Sequence, residues 1–196
     1  MGVLARPGAL WLLICVGLGL AALLAWWVER TLIDWQPQRA WPELWRWWSA
    51  ALVHWTPMHL GANLLATALV AAYGWAARVP RGVALAWVAS WPFTHLALLA
   101  KPDLLHYGGL SGVLHAGVAA ATVWLVMRSQ GAARTIGWMM LVGQSVKLLV
   151  EEPWGAAIHA PSELDVAVAP LAHASGSIAG ALLTLLALWL VRPART

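Results

Sequence analysis

The stretch "YGGLSGVLHAG", residues 107–117, sets Ser111 between glycines and puts His115 four positions after it, at the start of an apolar run. A serine hydroxyl attacks a carbonyl only with a base in hydrogen-bond reach, and the oxyanion that develops needs donors aimed at it. His173, in "AHASGSIAG", is the candidate base for Ser111. "HLGAN" sets His59 and Asn63 at i and i+4, on one helical face. There the Asn63 amide would donate to an oxyanion alongside the main-chain N–H of Ser111. Gly108, Gly109 and Gly112 allow a tight turn and close approach of a substrate backbone. The chemistry these residues suit is acyl transfer through a serine nucleophile.

Elements must hold such a set in place, and composition indicates which kind. Of 196 residues, 61% are hydrophobic and 10% charged, with mean hydropathy +0.71; an average soluble domain is about 25% charged. A bilayer core of about 30 Å takes about 20 mostly apolar residues per helix. Six stretches of that kind run at roughly 8–27, 53–75, 82–100, 111–127, 133–150 and 173–191. They predict an all-α, six-helix membrane bundle, with residues 1–196 as one domain. The first stretch ends in Trp26, Trp27, Val28 and Glu29 without a small-residue cleavage site, so it reads as a helix and not as a secretory signal. The lone Cys15 inside it has no partner for an internal disulfide.

With the N-terminus inside, the inner side carries Arg6, Arg78, Arg81, Arg128, Arg134, Arg192 and Arg195, seven basic residues and no acidic one. The other side carries five basic residues and all eight acids. Because cytoplasmic loops collect Lys and Arg, both termini are expected inside. The same asymmetry accounts for the net charge of +4, so no nucleic-acid partner is implied. Between Trp26 and Trp55 lie eight of the sixteen tryptophans, a residue suited to the membrane interface; this segment is expected on the outer leaflet. The second, fourth and sixth stretches then run inward, each ending on an arginine. At ~1.5 Å per residue, Ser111 lies ~26 Å above Arg128, His173 ~28 Å above Arg192, and His59 and Asn63 ~28 and ~22 Å above Arg78. Four polar groups from three helices share one layer just under the outer surface. Ala172, Gly176 and Gly180 repeat at four-residue spacing, as do Gly112 and Ala116. Such faces let membrane helices approach closely, as the fourth and sixth must if Ser111 is to meet His173.

Taken in order, "WR" at Trp45 and Arg46, "HWTPMHLGAN" with His54, His59 and Asn63, "GLSG" with Ser111 and "AHASGSIAG" with His173 resemble the motifs of the rhomboid family of intramembrane serine proteases. The resemblance covers the six-helix core. It implies a serine endopeptidase with a Ser111–His173 dyad, no third carboxylate, no cofactor and no metal. It also implies an oxyanion hole drawing on His59, Asn63 and backbone amides, with His59, Asn63, Gly109 and Leu110 as the oxyanion- and substrate-binding residues. No Asp or Glu lies inside the second, fourth or sixth stretch, and the acid nearest to His173 in the sequence is Asp165. His115 stands where the family commonly has a tyrosine beside the dyad, and is expected to line the site against His173. His54 is expected near the site, binding water or bracing the loop. His106 reads as a solvated loop residue, and His95 and His159 have no identifiable partner. The absence of H-E-x-x-H, and of an acidic ligand in the site layer, argues against a metalloprotease.

Small size and "HYGGLSGVLHAG" are similar to a narrower group, the rhombosortases. That likeness implies substrates that are secreted proteins of a Gram-negative bacterium, ending in a Gly-Gly-type motif, one transmembrane helix and a short basic end. The cut would fall on the periplasmic side of the inner membrane, and the partners would be such transmembrane substrates and membrane lipid; oligomeric state stays open. Glycines lower the cost of unwinding a helix end by roughly 1 kcal/mol each relative to alanine, which suits a cut there. "EEPWGAAIHAPSELDVAVAP", with Pro153, Pro161 and Pro170, is expected to act as a mobile cap over the site. The alternatives are a general rhomboid with other membrane substrates, and a non-catalytic rhomboid-fold binding protein. The second usually lacks the serine or the histidine, and this chain has both. A transporter would set its polar groups nearer the bilayer centre.

Overall fold

The computed structural model describes residues 6–159 and 167–190. Runs of Leu, Ala and Val that water will not solvate form helices, because in lipid a helix satisfies its own backbone groups. Six long helices result among the described residues: α1 (Ala9–Ala25), α2 (Pro57–Ala76), α3 (Arg81–Leu96), α4 (Ser111–Arg128), α5 (Gly131–Val150) and α6 (Pro170–Leu190). Among the described residues extended pairing is limited to two isolated antiparallel bridges, Trp35–Tyr107 and His159–Val168. Three helices among the described residues are long and apolar enough to cross a membrane: α3 with the 3-10 turn that continues it to Ala100, α4 and α6; α1 is apolar but shorter. Large exposed side chains such as Leu65, Met139, Val146, Leu182 and Trp189 coat the outside, an arrangement suited to lipid and costly in water.

α4 lies at the centre, packed against α2, α3, α5 and α6. Its small and branched residues, among them Val113, Ala116, Ala120 and Ala121, are buried. The small-residue spacing does what the sequence leads one to expect. A Cβ added at Gly176 would fall 2.2 Å from the Gly112 carbonyl oxygen, and one added at Gly180 would fall 2.2 Å from that of Ala116. The α4 and α6 backbones therefore touch, and no larger side chain fits between them. On the far side Trp11 packs on Trp87 with ring centroids 4.2 Å apart. Each indole N–H finds a carbonyl, Trp11 at Val70 and Trp87 at Val113, both at 2.8 Å, so neither leaves a buried donor unpaired.

The first loop is held by one buried arginine. Arg46 donates to the Asp34 carbonyl at 2.7 Å, to Asp34 Oδ1 at 3.1 Å, to Glu43 Oε2 at 2.6 Å and to the Thr31 carbonyl at 3.1 Å. Asp34 and Arg46 are almost fully shielded, at 0% and 1% exposure. Charges so buried persist only when hydrogen-bonded on every side. This loop in turn fixes the approach to Ser111. Trp35 and Tyr107 exchange backbone bonds at 2.8 and 3.0 Å, and the Gly109 N–H donates to the Ala50 carbonyl at 3.1 Å.

Candidate active site

Ser111 is the first residue of α4, and Gly109 two places before it has φ +144°. That φ favours glycine, and a Cβ there would meet His59 Nε2 at 2.9 Å. The turn delivers Ser111 to the N-terminus of a helix, where its own N–H has no intrahelical acceptor. His173 lies in the first turn of α6, which begins on Pro170. Because α4 and α6 touch, Ser111 Oγ–H reaches His173 Nε2 at 2.8 Å. His173 is 4% exposed, Asn63 5% and His59 7%. The expected nucleophile and base therefore meet, and His59 and Asn63 stand beside their turn.

α2 places those two residues through its cap. Thr56 accepts the His59 N–H at 3.1 Å and Pro57 is the first helical residue, a start that fixes the first turn. Asn63 follows one turn later; its Nδ2 would lie 3.9 Å from a Cβ at Gly109. Leu110 is fully buried and its carbonyl accepts from the Leu114 N–H at 2.9 Å. Since the Gly109 N–H is committed to Ala50, the part of Gly109 in the turn is conformational and its amide is not an oxyanion donor. His115 stacks on His173 with centroids 4.0 Å apart and planes 13° from parallel. Its Nδ1–H donates to the Ser111 carbonyl at 2.7 Å.

One expectation fails. A third carboxylate is present: Glu151 Oε2 lies 2.8 Å from His173 Nδ1. Glu151 caps the C-terminus of α5, a helix other than the three that carry Ser111, His173, His59 and Asn63. Its other oxygen, Oε1, pairs with Lys147 Nζ one turn back. Burial alone would raise the Glu151 pKa, but the hydrogen bond and charge of His173, together with Lys147, outweigh it and bring the value down to about 2. Asp165 and Pro161, the other residues of interest in that segment, lie outside the described residues. The expected cap over the site also falls partly there. Its described flanks are tied down, with Lys101 Nζ donating to the Trp154 and Gly155 carbonyls at 3.2 and 2.5 Å, and His159 paired with Val168.

Glu151 also removes one argument against a metal, that the site layer lacks an acid. His115, Glu151 and His173 bring ligand atoms within 4.8 Å of one another. Geometry supplies a better argument. A zinc ion sits about 2.0–2.1 Å from a histidine nitrogen, in the ring plane along the lone pair. Two nearly parallel stacked rings aim their lone pairs side by side, not at a shared point.

The other histidines have structural roles. His54 Nδ1–H donates to the Leu52 carbonyl at 3.0 Å, its own carbonyl accepts from Arg30, and its ring meets His59 edge-on at 4.8 Å, while its Nε2 is buried without a protein partner among the described residues. His95 does have a partner, since its Nδ1–H donates to the Trp47 carbonyl at 2.7 Å and pins α3 to the first loop. His106 is half exposed but bonds the buried Asp34 at 2.6 Å. Gln144 belongs to no motif in the sequence, yet its Nε2 donates to the His115 carbonyl at 2.9 Å and to Ser177 Oγ at 2.8 Å, while Ser177 donates to the His173 carbonyl. This chain of bonds fixes α4, α5 and α6 together beneath the site. A cavity of about 220 Å³ opens beside it, walled by Trp55, His59, Tyr107 and Ile158. An apolar cleft of about 340 Å³ runs between α2, α4 and α5, with Lys147 and His115 on its wall. Comparison with protein-family models and with curated proteins finds no match for this chain.

Proposed function

We propose that this protein is a serine endopeptidase of the rhomboid type, cutting membrane proteins near the outer surface of the bilayer. The observation that carries the reading is the 2.8 Å contact between Ser111 Oγ and His173 Nε2, at a helix junction too tight to be an incidental surface pair. In the first step Ser111 Oγ bonds to the scissile carbonyl carbon as its proton passes to His173 Nε2. The Ser111 N–H, the Asn63 amide and His59 face the oxyanion. The C–N bond then breaks, His173 returns the proton to the leaving amine, and an acyl-Ser111 ester remains. Water then gives a proton to His173 Nε2 as its oxygen bonds to the acyl carbon, and the ester C–O bond breaks as His173 returns that proton to Ser111 Oγ, releasing the acid and restoring the enzyme.

In this reading α1 to α6 all cross the bilayer of a bacterial inner membrane, with both ends in the cytoplasm and the site open to the periplasm. The arginines at 6, 78, 81 and 128 support that orientation. The substrates are secreted proteins with a Gly-Gly-type C-terminal tail helix, as the likeness of "HYGGLSGVLHAG" to the rhombosortases suggests. The test is mass spectrometry of a reporter ending in such a tail, incubated in membranes with the parent protein or its Ser111→Ala variant. A cut at the tail's outer end, present with the parent and absent with the variant, is the expected result. A Ser111-dependent cut only in other membrane proteins makes this a general rhomboid, and equal cutting by both proteins ends the serine-protease reading.

A further inference from the structure

The mechanism above uses Ser111 and His173 and leaves Glu151 without work. Its carboxylate is held at both oxygens: Oε2 is 2.8 Å from His173 Nδ1, Oε1 is taken by Lys147, and the side chain is 18% exposed, beside a buried His173 ring. A histidine that accepts a serine proton at Nε2 must carry its own proton on Nδ1, and an acceptor at Nδ1 selects that tautomer. An ionised carboxylate is acceptor-only. His173 also lies in the first turn of α6, where the helix dipole opposes positive charge. When Nε2 takes the serine proton the imidazolium forms in that unfavourable place, and a carboxylate at hydrogen-bond distance offsets it. The His115 ring stacks on one face of His173 and limits its tilt, so Glu151 supplies the remaining in-plane constraint.

We infer that Glu151 is a positioning residue for the reaction, holding His173 in the Nδ1–H tautomer and balancing its imidazolium, with Lys147 anchoring the carboxylate. This rests on the serine reading above. Glu151 takes no proton during turnover; the proton runs from Ser111 Oγ to His173 Nε2 and on to the leaving amine. Among the described residues, the charged and titratable groups facing Glu151 are His173 from α6, His115 from α4 and Lys147 from its own helix. Beside His173 and Lys147 its carboxyl is held below the usual carboxylate range.

The full-length protein in detergent tests this, with tail-reporter cleavage and fluorophosphonate labelling of Ser111 followed across pH. Glu151→Gln and Glu151→Ala are expected to lose up to about 10⁴-fold in kcat with KM little changed, the size of loss seen when the acid of a serine triad is removed. Glu151→Asp should regain at least part of this, formate should partly rescue Glu151→Ala, and the acid limb of the Glu151→Gln profile should move to lower pH. A Glu151→Gln variant with parental kcat and parental pH profile overturns the inference. So does a loss common to all three variants that formate does not relieve and that leaves the profile in place, since that is a folding defect. If the parent shows no Ser111-dependent labelling, the serine reading itself falls and takes this inference with it. Labelling in the parent matched by Glu151→Gln sinks the Glu151 role alone.

Discussion

Asn63 is the residue whose role is most open to a single substitution, because it stands beside the turn before Ser111 and takes no part in the proposed proton path. Buried at 5% exposure on the face it shares with His59, it has an amide to offer a developing oxyanion. Asn63→Ala should lower kcat by about 10²- to 10³-fold, the cost of one oxyanion donor, with KM unchanged in reporter cleavage. A parental kcat would reassign it to packing. Most of this local chemistry is legible in the sequence, since "HLGAN", "GLSG" and "AHASGSIAG" place each group near a helix start at one depth. Glu151 is not. The depth argument applied to α5 would have put it ~26 Å above Arg134, level with the other four. Nothing in the spacing says, however, that the end of α5 abuts the start of α6.

At the scale of elements the contact between α4 and α6 decides whether the site exists. Gly180 lies two turns below His173 and faces the Ala116 carbonyl. Gly180→Val must push the helices apart, and overpacking of this kind costs about 1–3 kcal/mol. The expected result is a lower unfolding midpoint in detergent together with reduced labelling of Ser111, because His173 moves with α6. Gly143→Ala on α5, where an added Cβ meets nothing within 4 Å, should leave both unchanged; equal effects from the two variants would remove the seam from the explanation. The first loop acts as a second positioning element. Its Trp35–Tyr107 bridge and Ala50–Gly109 bond reach the turn that carries Ser111, and Arg46 holds that loop in shape. The sequence marks Arg46 through "WR", but its four acceptors are spread over residues 31 to 43, and only folding gathers them.

For the molecule as a whole the reading to test is orientation. With both ends inside, a cysteine added after Thr196 should react with a membrane-impermeant maleimide only when the cytoplasmic face is opened. One placed at Trp41 in the first loop should react from the outside. The reverse pattern would put the site on the cytoplasmic face and exclude a periplasmic substrate. The sequence by itself determined what depends on composition and on height along a helix: the apolar stretches, the small residues of the α4–α6 seam, and the layer holding Ser111, His59, Asn63 and His173. Height follows from the rise per residue, which is the same in every helix. The tertiary structure alone decided which groups in that layer touch, because neighbour and rotation are set by how side chains pack. That packing brought Glu151 to His173, set Gln144 beneath both, and gave the Gly109 amide to Ala50.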